Sequence, residues 1–67
     1  MREVIERYLS NGGYAKKGEW FTDENMAIKL NKKSVTISTK NGVSLFRTAN
    51  PDKITIDQLD ILIQTAL

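Results

Sequence analysis

The side chains able to do chemistry are few, and their spacing sorts them quickly. Asp57 and Asp60 stand one helical turn apart, Glu19, Asp23 and Glu24 gather around the aromatic pair Trp20-Phe21, and Lys16-Lys17 follow Gly12-Gly13. Paired carboxylates exchange a proton with substrate only when a cleft drives their pKa values apart. Asp57 and Asp60 fall on the polar side of a helix, and Asp57 sits near its start, where a negative charge favours the helix dipole. The carboxylates around Trp20 have no comparable cleft in prospect, because so short a chain rarely encloses one. Lys16-Lys17 lack the spacing of a phosphate-binding loop, with no strand before and helix after. With no cysteine and no histidine in the chain, a disulfide, a thiolate zinc site, a thiol nucleophile and an imidazole base are excluded. The expectation is a protein that is not an enzyme, with no catalytic residue, no metal and no cofactor.

Charge offers a second kind of chemistry. Ten basic and eight acidic side chains leave a net +2, yet residues 26–50 carry Lys29, Lys32, Lys33, Lys40 and Arg47 and no acid. Lysines at turns and edges keep strands from pairing with foreign chains. The same lysines, beside hydroxyls and an exposed ring, suit a nucleic-acid surface that holds phosphates and stacks a base. Against that reading, one ring is a small platform and the cluster is poor in arginine, the usual phosphate-recognition side chain.

These residues must be positioned by 67 residues in all. A chain of this size hides only about 60% of the surface its unfolded form exposes, so its core must be a single compact one. Met1, Val4, Ile5, Tyr8 and Leu9 gather on one side at helical spacing, predicting a helix over Arg2–Ser10 that stops at Asn11-Gly12-Gly13. At the other end, Thr55 and Gln58 form a capping box within an Ile54/Leu59 staple, followed by a helix from Ile56 to about Ala66 with Leu59, Leu62, Ile63 and Ala66 inward.

Between the helices, runs rich in β-branched residues flank Lys40-Asn41-Gly42. A three-residue loop with Gly42 in a left-handed bulge pairs Thr39 with Val43, Ile37 with Leu45 and Val35 with Arg47, which gathers Val35, Ile37, Val43 and Leu45 on one face. A turn over Lys32-Lys33 then pairs Leu30 with Val35 and Ile28 with Ile37. The opposite face carries Lys29, Thr36 and Phe46 in one row, with Ala27, Ser38 and Ser44 in the next. A competing reading makes Asp23–Lys33 a helix capped by Thr22. Gly18–Thr22 is a further strand or a packed loop, and either Trp20 or Phe21 could point inward.

The expected architecture is one α+β domain over residues 1–67: an N-terminal helix, a three- or four-stranded antiparallel β meander and a C-terminal helix in a two-layer α/β sandwich. Residues outside the apolar pattern become the interface candidates Ile61, Phe46 and Trp20. The leading functional expectation is a small protein-binding or regulatory module that occupies a partner's surface and pairs with a second copy as a homodimer. The alternative is a nucleic-acid-binding protein using Lys29, Lys32, Lys33, Lys40 and Arg47. The mixed charges of the first residues and the lack of a long apolar run point to a cytoplasmic protein with no membrane partner.

Overall fold

The computed structural model describes residues 2–66. Helix α1 (Arg2–Asn11) leads into strands β1 (Ala15–Lys17), β2 (Trp20–Thr22), β3 (Met26–Leu30), β4 (Val35–Thr39) and β5 (Ser44–Arg47), and helix α2 (Ile56–Ala66) ends the order. All five strands form one antiparallel meander, each paired with its sequence neighbour. The α+β class holds, and the strand count is five rather than three or four. The unanticipated strand is β1, which carries no apolar alternation because it lies at the sheet edge with all three residues exposed.

Segment 26–30 is a strand and not a helix. Asp23 decides this locally: its Oδ1 accepts hydrogen bonds from the backbone N–H of Asn25 (2.7 Å) and Met26 (2.9 Å), which closes a turn and sends Met26–Leu30 back along β2. Across β3 and β4, Met26 faces Thr39, Ile28 faces Ile37 and Leu30 faces Val35; across β4 and β5, Ile37 faces Leu45 and Val35 faces Arg47. Gly42 takes φ 90°, and the Thr39 N–H donates to the Val43 carbonyl at 2.8 Å, as a three-residue bulged loop requires.

One sheet face is apolar. Phe21, Met26, Ile28, Val35 and Ile37 form a buried cluster with Ile5 and Leu9 of α1 and Leu59 and Ala66 of α2. Each helix therefore contributes one apolar stripe to the same core; Met1, assigned by periodicity to the first stripe, lies outside the described residues. Val43 belongs to the apolar pattern but stays half exposed at the turn end of the edge strand. The start of α2 shows both bonds of its capping box: Gln58 N–H donates to Thr55 Oγ1 (3.1 Å), and Thr55 N–H donates to Gln58 Oε1 (2.9 Å).

Two polar contacts fix the helices. The Arg2 guanidinium donates to the carbonyls of Leu30 (3.0 Å) and Asn31 (2.8 Å) and reaches Asp52 at 3.4 Å, pinning the start of α1 to the end of β3. The Tyr8 hydroxyl donates to Asp60 Oδ1 at 2.7 Å, joining α1 to α2. Among the described residues no buried side-chain polar atom lacks a hydrogen-bond partner, and no helix is long and apolar enough to cross a membrane.

Candidate functional site

The chain alternates faces along each strand, so the register that buries Phe21 turns Trp20 the other way. Lys17 pairs with Trp20, Trp20 with Lys29, Lys29 with Thr36, and Thr36 with Phe46. These five residues form one continuous row across all five strands on the face opposite the helices. The neighbouring row is Ala15, Thr22, Ala27, Ser38 and Ser44, small or hydroxylic throughout. Phe46 is 61% exposed, and Trp20 and Lys29 are half-buried. Three strand spacings of about 4.8 Å set the backbones of Trp20 and Phe46 about 14 Å apart.

Charge on this sheet is sorted by end. The β1–β2 turn, the β3–β4 turn and the last residue of β5 share one end, which carries Lys17, Lys29, Lys32, Lys33 and Arg47. The β2–β3 and β4–β5 turns share the other, where Asp23 and Glu24 accompany Lys40. The aromatic row lies next to the basic end. There a shallow groove of about 420 Å³ is lined in part by Arg2, Lys16, Lys29 and Lys32, with Glu6 and Glu19.

Within the row, Lys29 has two partners. Its Nζ lies 5.7 Å from the centroid of the Trp20 ring and 3.3 Å from Glu19 Oε2. An ammonium over the face of an indole is held by the ring quadrupole, worth about 0.5–1 kcal/mol at an exposed site. Thr36 Oγ1 accepts from Asn31 Nδ2 at 3.0 Å. Lys16 points to the helix side, its Nζ 5.7 Å from the Phe21 ring.

The five basic candidates do not form one patch. Lys29 lies in the aromatic row and Lys32 and Lys33 in the turn at its basic end, whereas Lys40 is at the opposite end. Arg47 reaches the basic end on the Val35 side of the sheet, and its Nη1 donates to the Phe46 carbonyl at 3.0 Å. By the alternation of the β4–β5 ladder, Phe46 turns its backbone groups to the free edge, so Arg47 covers an open acceptor of that edge. Of the interface candidates, Trp20 and Phe46 share the open face, while Ile61, 62% exposed, lies apart on α2. The contribution of Lys17 and Trp20 to the row was signalled by Gly18-Glu19: Gly18, at φ 64°, occupies the first central position of a two-residue hairpin turn.

The carboxylates are dispersed. Asp23 is used in its turn, Glu19 meets Lys29, and Asp60 accepts from Tyr8. That hydrogen bond holds the Tyr8 phenol above its ordinary pKa, and burial raises that of Tyr14. Among the described residues no three acidic side chains gather as metal ligands would. Comparison of the chain with known protein families, curated proteins and solved structures finds no match.

Proposed function

We propose that the protein is a non-catalytic nucleic-acid-binding module that holds a single strand across the open face of its sheet. The observation that carries this reading is the row Lys17, Trp20, Lys29, Thr36, Phe46, which puts two aromatic rings and two lysines in one line beside the basic end. Single-strand binders combine stacking rings with a cationic track for the backbone, and each stacked base contributes about 1–3 kcal/mol. The bases lie over Trp20 and Phe46, and the phosphates follow Lys29, Lys32 and Lys33. A duplex keeps its base faces stacked inside and has none to offer along its length, so the strand is single.

The charge on the face also separates this partner from a second copy of the chain. Packing two such faces together would bury the Lys17 of each copy and both Glu19–Lys29 pairs in one desolvated interface, where charged groups are costly. A polyanion meets the same lysines favourably. A protein-binding reading draws on a different observation, the exposed Ile61 on α2; it places self-association on the helix, away from the row.

Fluorescence anisotropy with a labelled single-stranded oligonucleotide tests the proposal through charge placement. Lys32→Glu at the basic end weakens binding several-fold in low salt, whereas Lys40→Glu, the same charge change at the opposite end, has a smaller effect. Equal losses from both substitutions, or no binding by the wild-type protein in low salt, would overturn it.

A further inference from the structure

At the basic end of the sheet one acidic side chain stands where the proposed ligand must pass. Glu19 sits in the exposed β1–β2 turn, its Oε2 3.3 Å from Lys29 Nζ, and that same ammonium lies over the Trp20 ring at 5.7 Å. Glu19 and Lys29 also line the groove at this end of the sheet, which Arg2 and Glu6 of α1 close from the helix side. In the free protein the cation nearest the larger stacking ring is therefore neutralised from one side and parked on the ring from the other.

Resting on the single-strand reading above, we infer that Glu19 is a built-in competitor for that strand: its carboxylate occupies the phosphodiester position on Lys29. A carboxylate and a phosphodiester each bring one negative charge, and Lys29 cannot hold both without like-charge repulsion between them. Binding exchanges one for the other. The exchange is easy mechanically, because the Glu19 side chain is 80% exposed and its turn is short and open. Lys29 follows the phosphate off the indole, which clears Trp20 for a base. Glu19 thus sets the affinity of the site.

The competitor is a surface ion pair, so its removal has a modest effect: Glu19→Gln tightens binding of a single-stranded oligonucleotide about two- to five-fold in low salt, the equilibrium factor for an exposed pair of up to about 1 kcal/mol. Glu24→Gln, which removes the same charge at the opposite end, separates competition from a general change in net charge and produces a smaller gain. A second readout uses the free protein: Glu19→Gln loosens Lys29, and acrylamide quenches Trp20 fluorescence more efficiently than in the wild type. If the wild-type protein binds and Glu19→Gln neither tightens binding nor exceeds Glu24→Gln, the competitor is refuted while the binding reading stands. If neither wild type nor Glu19→Gln binds, both fall; binding by Glu19→Gln alone establishes a competitor stronger than expected.

Discussion

Two rows of the same sheet, one residue out of step along each strand, have opposite chemistry. Phe21, Ile28 and Ile37 lie in the row facing the helices, all buried, with Leu45 half-buried beside them; Trp20, Lys29, Thr36 and Phe46 lie in the row facing away, half-buried or exposed. Both rows contain an aromatic ring and both have a lysine near it, Lys16 at Phe21 and Lys29 at Trp20. Burial separates their roles. Phe21 is closed into the core beneath Lys16, whereas Trp20 is half-buried on the open face with Lys29 over its ring. One row keeps the chain folded, and the other is the surface proposed above for a ligand.

The sharpest way to break this contrast is to substitute neighbours. Ile37→Ala removes a side chain that is 1% exposed at the centre of the core and costs about 3 kcal/mol, read as a lowered midpoint in urea. A chain of this size has roughly 3–10 kcal/mol in total, so partial unfolding at room temperature is within the expected range. Thr36→Ala, one residue earlier, loses only the bond from Asn31 and costs less than about 1 kcal/mol. Comparable losses at the two positions would show that the open row also belongs to the core.

A smaller effect belongs to the helix pair above the sheet. The Tyr8 phenol is raised above its ordinary pKa of 10.0 chiefly by its hydrogen bond to Asp60. A pKa raised by folding means that the neutral phenol is the stabilising form, so the contribution is complete below pH 10 and lost as pH climbs through the folded value. Tyr8→Phe therefore lowers the thermal midpoint at neutral pH by less than Ile37→Ala does, and the gap to wild type closes in alkali. A gap unchanged by alkali would mean that packing, and not this hydrogen bond, joins the helices there.

The contrast between rows also marks where the sequence was legible. The inner ladder of β3, β4 and β5 follows from placing Ile28, Ile37 and Leu45 on one face, because a one-residue slip would expose them. The helix starts and stops are equally local, as Thr55 with Gln58 demonstrates. From that ladder alone, Lys29, Thr36 and Phe46 fell into one row. The missing half of the row was less readable because Ala15–Lys17 buries nothing and so leaves no alternation, and because choosing between Trp20 and Phe21 needs the register across Asp23–Asn25. That register depends on a turn closed by one side chain, Asp23.

Trp20 is the single tryptophan of the chain, which makes the open row its own reporter. The most direct measurement is a titration of Trp20 fluorescence with an unlabelled single-stranded oligonucleotide, repeated with the matching duplex and at rising salt. Stacking on the indole predicts saturable quenching by the single strand, weaker binding of the duplex and a steep loss of affinity with salt. Unchanged Trp20 emission in low salt, or equal binding of both forms, would contradict the account.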